Sequence, residues 1–184
     1  MVCHVADGTL KSSAAWFADP KANVSAHYIV GMDGSVIQSV QELDAAYHAG
    51  LWPMNLRSIG IEHEGEPRSG PWTPSEAQLQ ASAELVGGVC KRYSIPVNRL
   101  HITGHNEVQP DRSARKGCPG PTWPWARYLS MVAAAVNPQP AHQPAHQPSP
   151  DDKRTVLLFD PATNQQVGTG TLINGTDKIY VTPR

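Results

Sequence analysis

The chain has 184 residues, of which 40% are hydrophobic and 17% are charged, a composition typical of a globular protein. Its 15 basic and 16 acidic residues nearly balance, so no basic surface for nucleic acid is expected. No apolar stretch approaches the roughly 20 residues that span a bilayer, and the three cysteines, Cys3, Cys90 and Cys118, do not form the pattern of a disulfide framework.

The first half of the chain predicts alternating helices and strands. A short helix is predicted from Leu10 to Ala18. Residues 26–40 predict a hairpin, because two β-rich runs flank Asp33-Gly34, a dipeptide that accepts the positive φ of a tight turn. Residues 57–63 predict another strand, in which Gly60 indicates a close backbone approach.

A longer helix is predicted after the segment 73–76, Thr-Pro-Ser-Glu. Thr73 is the expected cap, Pro74 suits the first helical position and Glu76 completes a capping box. This helix should run to about Tyr93, and a third helix is predicted over about residues 125–136. Strands and helices intermixed in this way predict an α/β domain, with a central mixed β-sheet flanked by helices.

The end of the chain has a different composition. Residues 137–152 hold five prolines and a doubled PAHQ unit, which predicts an extended polyproline spacer. Three short β-rich runs follow, separated by turn residues, and predict a small C-terminal β-meander. The predicted organisation is therefore a main domain over 1–136, a proline-rich linker over 137–152 and a small β appendage over 153–184.

The eight histidines are the first candidates for chemistry, although a lone histidine is more often structural than a ligand. His101 and His105 have HExxH spacing without the glutamate, and Gly104 favours a strand there rather than a helix. Close cysteine pairs, which a structural zinc finger needs, are absent from the sequence. A dispersed set remains, His4, His105 and Cys118, whose nitrogen and sulfur atoms suit zinc with a fourth position left for water. Spacing alone leaves open whether these three residues meet.

Seven stretches between His4 and about Leu129 carry a family resemblance. In order they are VCHVADGT, VSAHYIVGMDGSVIQSV, AAYHAG, NLRSIGIEHEG, TPSEAQL, ITGHNEV and RKGCPGPTWPW. Together they resemble the type-2 N-acetylmuramoyl-L-alanine amidase family, which is related to the peptidoglycan-recognition proteins and to phage lysis amidases. The resemblance covers about two-thirds of the chain.

The resemblance implies a set of site residues. It implies zinc ligation by His4, His105 and Cys118, with a cysteine in the position that many bacterial members fill with aspartate. It implies that Glu62 is the catalytic glutamate and that Lys116 helps to stabilise the transition state.

The same resemblance indicates residues that contact the substrate. Tyr47 and His48 lie in the AAYHAG motif, where the family lines its substrate groove, and His27 lies in the hairpin motif near that groove. Arg112 is a candidate partner for carboxylates of the stem peptide, because a guanidinium binds carboxylates in a fork geometry. Strand alternation predicts that His63 faces away from the catalytic glutamate.

The implied function is zinc-dependent hydrolysis of the amide bond between N-acetylmuramic acid and L-alanine in bacterial peptidoglycan. The first residues lack the pattern of a signal peptide. We therefore expect synthesis in the bacterial cytoplasm and action on the wall after release, by a holin-type or other route, as a phage or prophage endolysin. We expect a monomer that binds peptidoglycan, with no nucleic-acid partner and no membrane insertion.

Two alternatives stay open at this point. One is a non-catalytic peptidoglycan-binding module, since animal relatives often keep the fold and lose the zinc. The other is a phage structural protein, which the linker and the C-terminal strands suggest. The appendage could serve wall-targeting or docking.

Overall fold

The structure, a computed structural model, describes residues 1–67, 72–108 and 117–137, together with the backbone of three strands between residues 153 and 181. The chain divides into two compact units, Met1–Pro138 and Gln139–Arg184. The elements of the first unit are β1 (Val2–Val5), α1 (Leu10–Ala18), β2 (Tyr28–Val30), β3 (Val36–Gln38), α2 (Trp52–Asn55), β4 (Gly60–His63), α3 (Glu76–Tyr93), β5 (Thr103–Gly104), α4 (His105–Val108) and α5 (Trp125–Val136).

The first unit is organised around a five-stranded sheet with the strand order β3-β2-β4-β1-β5. Strand β1 runs parallel to β4 and β5, and β2 runs parallel to β4. Only β3, paired with β2 in the hairpin, runs in the opposite direction among these strands. The predicted α/β class with a mixed sheet is confirmed. Parallel strands end at the same edge of a sheet, and such edges are where open α/β sheets bind ligands.

The core lies between the sheet and the two long helices. Cys3 on β1 and Ile61 on β4 have no exposed surface, and they join one cluster with Val86 of α3 and with Tyr128 and Val132 of α5. Burial of large apolar side chains contributes roughly 1.5–3 kcal/mol each. The two helices therefore anchor one face of the sheet and leave the strand ends to carry the site.

Many element boundaries follow the sequence, with exceptions. Helices α1 and α5 have the predicted bounds. The strand predicted over residues 57–63 begins only at Gly60, and the short helix α2 before it was not predicted.

The predicted cap at Thr73 is wrong, because α3 starts at Glu76 and Ser75 is its N-cap. The Ser75 hydroxyl oxygen accepts the Gln78 N–H at 3.0 Å, and the same hydroxyl donates to the Met32 carbonyl. Ser75 thus caps the helix and ties it to the hairpin, a contact that the local sequence does not contain.

The described part of the second unit is a three-stranded antiparallel sheet of β6 (Lys153–Phe159), β7 (Gln166–Ile173) and β8 (Ile179–Val181), in that order. The predicted C-terminal meander is confirmed. The predicted linker lies outside the described residues apart from Asn137. No helix among the described residues is both long and apolar enough to cross a membrane.

Candidate metal and catalytic site

Three neighbouring strands bring the predicted catalytic and ligand residues together. His4 of β1 and Glu62 of β4 are register partners, so their side chains leave the same face of the sheet. Cys3 is the register partner of Gly104, and His105 follows directly at the start of α4. The carboxylate oxygen Oε1 of Glu62 lies 4.0 Å from His4 Nδ1. The pairing register of the sheet therefore builds this part of the site.

The loop that carries Cys118 is fixed by the backbone around it. The Asn106 N–H donates to the Cys118 carbonyl at 3.0 Å, and the Val5 N–H donates to the Cys118 Sγ at 3.4 Å. A Cβ atom at Gly104 would lie 2.9 Å from Cδ of Pro119, so the loop packs directly on the end of β5. Because residue 104 is a glycine and has no side chain, the thiol can approach the two histidines.

The three predicted ligands form one cluster. Their ligand atoms lie within 4.8 Å of one another, with His4 Nδ1 3.0 Å from His105 Nδ1 and 3.8 Å from the Cys118 Sγ. Tetrahedral zinc with nitrogen ligands at about 2.0–2.1 Å and sulfur at about 2.3 Å needs separations of roughly 3.4–3.6 Å. The residues present therefore fit a zinc ion, and two imidazoles with one thiolate are a donor set that zinc accepts.

A cavity of about 940 Å³ opens over this cluster. It is lined by the three ligand residues and by Glu62, whose side chain is 14% exposed. Its other lining residues include aromatic side chains from distant parts of the chain: Trp16, Phe17, Tyr47 and Trp72. A carboxylate with partial access to water, next to a metal-ligand set, has the arrangement that a general base requires.

Three of these aromatic residues were not predicted to line the site. Trp16 and Phe17 lie in α1, where Trp16 is 56% exposed, and Trp72 precedes α3. None of the three belongs to a motif with a chemical signature, so the sequence offers no signal beyond an apolar side chain. Tyr47, which was predicted to contact substrate, does line the cavity, is 54% exposed and stacks on Trp52 with ring centroids 5.3 Å apart.

The structure places His48 beside the ligand cluster but almost fully buried, at 5% exposure. Its Nδ1 lies 3.1 Å from His4 Nε2, and its Nε2 lies 3.2 Å from the Ser58 hydroxyl. Burial lowers the pKa of His48 to about 3, with a smaller contribution from His27, so the ring is neutral at physiological pH. Any substrate contact by a ring nitrogen of His48 would have to break one of these bonds.

His27 does not reach the cavity. Its side chain has no exposed surface, its Nδ1 accepts the Gly60 N–H at 3.0 Å and its Nε2 lies 3.1 Å from the Asp44 carbonyl. Burial lowers the pKa of His27. Because Nδ1 accepts from Gly60, a proton on Nε2 can donate to the Asp44 carbonyl. The predicted substrate contact therefore falls on a residue that the structure uses to hold the start of β4.

His63 faces the core, as strand alternation predicts. Its Nδ1 donates to the His4 carbonyl at 2.8 Å, and its Nε2 lies 2.7 Å from the Ser82 hydroxyl. Burial lowers the pKa of His63 to about 4. This histidine bonds to the backbone of β1 from the core side of the sheet and is not among the residues that line the cavity.

The two remaining predicted residues, Arg112 and Lys116, lie outside the described residues. Both belong to the segment 109–116, which connects α4 to the loop of Cys118. Their predicted roles in carboxylate binding and in transition-state stabilisation stay predictions.

The fold and the site define a class of protein: an α/β domain whose metal-ligand set and carboxylate meet at the ends of parallel strands under an open cavity. The family model described as N-acetylmuramoyl-L-alanine amidase matches residues 1–121. The chain belongs to this amidase family.

Individual relatives agree with this assignment. The chain is 29% identical over 150 residues to N-acetylmuramoyl-L-alanine amidase A of Achromobacter lyticus, covering 72% of this chain and 81% of the relative. It is 35% identical over 115 residues to the 1,6-anhydro-N-acetylmuramyl-L-alanine amidase AmpD of Citrobacter freundii, covering 59% of this chain and 57% of that protein. The chain thus spans less than two thirds of the length of AmpD.

Solved structures support the fold. A crystal structure of an AmpD derivative matches with 34% identity and a TM-score of 0.50, covering 59% of this chain and 60% of the other. A mutant structure of PlyL matches with 17% identity and a TM-score of 0.59, covering 73% and 83%. The predicted family and fold are confirmed, and the prediction of an amidase enzyme is confirmed with them.

Proposed function

We propose that this protein hydrolyses the amide bond between N-acetylmuramic acid and L-alanine in peptidoglycan and that it does so with a bound zinc ion. The observation that carries the proposal is the meeting of His4, His105, Cys118 and Glu62 under one cavity, in a chain of the amidase family. The names of the relatives support the choice of substrate, because they are amidases of muramyl–alanine bonds.

Glu62 is the proposed general base. Its Oε1 lies 4.0 Å from His4 Nδ1, so the carboxylate is within hydrogen-bond reach of a water molecule bound beside the ligand cluster. The carboxylate takes a proton from this water as the oxygen attacks the amide carbon. The same proton then goes to the amide nitrogen as the C–N bond breaks, so the products are the muramyl carboxylate and the free amino group of L-alanine.

The ligand residues have a separate task. His4, His105 and Cys118 would hold zinc through Nδ1, Nδ1 and Sγ, the atoms that face one another in the structure. When bound, zinc supplies a Lewis acid that polarises the amide carbonyl and lowers the pKa of water towards about 7. Lys116 is proposed to donate to the carbonyl oxygen as negative charge develops on it, a contribution of roughly 2.7–4 kcal/mol per donor in other enzymes.

The cavity walls are the proposed substrate contacts. Tyr47 offers an exposed aromatic face at the edge of the cavity. Arg112 is proposed to pair with a carboxylate of the stem peptide, because its guanidinium can bind both oxygens at once. The large cavity and its aromatic lining match a substrate that joins a sugar to a peptide.

A second part of the proposal concerns the biological setting of the enzyme. We propose a phage or prophage endolysin that is made in the bacterial cytoplasm, acts as a monomer and reaches the wall by a holin-type or other route. The proposal includes a catalytic domain over residues 1–136, a linker over 137–152 and an appendage over 153–184 that serves wall-targeting or docking. Deleting residues 137–184 tests the appendage: weaker binding to sacculi indicates wall-targeting, and unchanged binding and lysis indicate docking.

The reaction itself is tested by its products. Purified protein with zinc is incubated with peptidoglycan sacculi, and new amino groups of L-alanine and new reducing sugar ends are measured separately. The proposal expects alanine amino groups without reducing ends. A zinc-loaded protein that binds sacculi of several peptidoglycan types but releases no stem peptide would contradict the proposal and favour a recognition module.

A further inference from the structure

His48 and Ser58 form a hydrogen-bonded chain behind the ligand His4. The Ser58 hydroxyl donates to the Met54 carbonyl at 2.6 Å, and its oxygen lies 3.2 Å from His48 Nε2. His48 Nδ1 lies 3.1 Å from His4 Nε2. The chain therefore runs from a backbone carbonyl through one serine and one histidine to the imidazole whose other nitrogen faces His105 and Cys118.

The positions of the protons along these hydrogen bonds follow from the first bond, between the Ser58 hydroxyl and the Met54 carbonyl. A carbonyl oxygen can only accept, so the single proton of the Ser58 hydroxyl points at Met54. Towards His48 the serine oxygen can then only accept, which places a proton on His48 Nε2. A neutral His48 has its lone pair on Nδ1, and this lone pair accepts from a proton on His4 Nε2. His4 Nδ1 is consequently left with a lone pair.

We propose that His48 and Ser58 are positioning residues that fix His4 in the tautomer in which Nδ1 presents a lone pair to the metal. This inference rests on the proposed zinc site, and it goes beyond it by assigning a role to two residues outside the proposed ligand set, one of which, His48, also lines the cavity. It also gives His48 a different role from the substrate contact that its motif suggested.

The backbone around His48 is built to hold its ring. Asn55 Oδ1 accepts the N–H groups of His48 and Ala49 at 3.2 and 2.8 Å. A Cβ atom at Gly60 would lie 2.3 Å from Cγ of His48, so the ring lies directly on the backbone of β4. The ring is thus held from its own backbone, from its Nε2 and from its face, which leaves one orientation toward His4.

The short helix α2 provides the backbone carbonyl at which the hydrogen-bonded series from Met54 to His4 begins. A helix end leaves backbone carbonyls short of regular helical partners, and the carbonyl of Met54 lies in this last turn of α2. It accepts both the Arg57 N–H at 3.2 Å and the Ser58 hydroxyl. The same four-residue helix that supplies Asn55 therefore also directs the serine proton away from His48.

Zinc affinity is the first test, because outer groups that orient a ligand histidine typically change metal affinity about 10–100-fold. The zinc dissociation constant of the full chain is measured by chelator competition for the native protein, His48→Gln and Ser58→Ala. We expect weakening of about 10–100-fold for His48→Gln and about 10-fold for Ser58→Ala.

Ser82→Ala is the matched control. It removes a buried serine hydroxyl bonded to a histidine Nε2, like Ser58→Ala, but that histidine is His63 on the opposite face of the sheet. We expect the zinc affinity of this variant to stay within about 2-fold of the native value. Equal weakening by Ser58→Ala and Ser82→Ala would show a general loss of rigidity and overturn the proposal.

The second readout is the proton itself. Nitrogen-15 NMR of histidine-labelled, zinc-free protein reports which ring nitrogen carries the proton. The proposal expects protonated Nε2 at both His4 and His48, and protonated Nδ1 at His4 in the native chain would overturn it. This readout needs no bound metal and no activity, so a native protein that bound no zinc would count against the proposed function while the NMR result still decided this proposal.

Discussion

Two buried histidine networks lie on opposite faces of the same pair of strands. The cavity-side network consists of His4, His48 and Ser58, and the core-side network of His63, Ser82 and Tyr128. Both pair a serine hydroxyl with a histidine Nε2, at 3.2 Å on the cavity side and 2.7 Å on the core side. Residue type and bond type are therefore the same in the two networks.

The difference lies in where each network ends. The core-side network ends at the His4 carbonyl, where His63 Nδ1 donates its proton to the backbone of β1. The cavity-side network ends at His4 Nδ1, which faces two further ligand atoms under an open cavity. Buried histidine networks thus become structural or functional according to whether the last nitrogen meets a backbone oxygen or other ligand atoms.

The largest effect is expected from a change on the cavity side. Glu62→Gln keeps the shape of the side chain and removes its ability to take a proton. We expect the rate of amide hydrolysis to fall by about 10²–10⁴-fold, with zinc content unchanged. The measurement is release of alanine amino groups from sacculi beside zinc content, and a variant with native rate would exclude Glu62 as the base.

A change of pH should act on the core-side network. The pKa of His63 is lowered from 6.5 to about 4, so the unfolded chain binds a proton in this window that the folded chain does not. The stability that His63 contributes is complete above pH 6.5 and is lost as the pH falls towards 4, on the order of 3 kcal/mol.

Urea unfolding between pH 7.5 and 4.5 checks this expectation. The native chain is compared with His63→Gln, which should flatten the dependence, and with His101→Gln at an exposed position, which should not. Because the three proteins differ only at positions 63 and 101, the comparison isolates the contribution of position 63. Parallel curves for all three would contradict the assignment.

Gly60→Ala should disturb the cavity-side network through packing. The new Cβ would meet the His48 ring at 2.3 Å, so the ring must move, at a cost of about 1–3 kcal/mol and with weaker zinc binding. Gly88→Ala is the control, because a Cβ there meets only the end of Arg92 at 3.4 Å in the middle of α3. That variant should be neutral or slightly more stable. The free energy of unfolding and the zinc affinity are measured for both.

The smallest effect is expected at Tyr128, at the opposite end of the core-side network from the His4 carbonyl. Tyr128→Phe removes the hydroxyl that lies 2.7 Å from the Ser82 hydroxyl and keeps the buried ring. We expect a loss of about 1 kcal/mol in the free energy of unfolding, with zinc affinity unchanged. If this variant lost zinc as His48→Gln is expected to, the separation of the two networks would fail.

Local signals explain why much of the fold could be predicted. Helices α1 and α5 were predicted at their bounds because apolar spacing and end signals lie within the segments themselves. The cap of α3 was misplaced because Ser75 is selected by a contact with Met32, 43 residues away. Boundaries that depend on distant partners are not contained in local sequence.

The same distinction between local signals and distant contacts applies to the residues of the site. His105 and Cys118 lie 101 and 114 residues after His4 in the sequence. Only the family resemblance therefore assigned the three residues to one site. Ser58 lies in the NLRSIGIEHEG stretch, which implied no role for it, and Trp16 lies in none of the seven stretches. Their roles depend on a ring orientation and a cavity wall that exist only after folding. His48 was singled out from its motif, but its hydrogen bonds decide what it does.

Zinc content and hydrolysis, measured together on the native chain and on Cys118→Ser, decide whether the proposed zinc site carries out the reaction. We expect one zinc per native chain and release of alanine amino groups from sacculi, with both quantities reduced in the variant, because a serine hydroxyl is a far weaker zinc ligand than a thiolate. A native chain that releases alanine amino groups without zinc, or a variant that keeps both zinc and activity, would contradict this expectation.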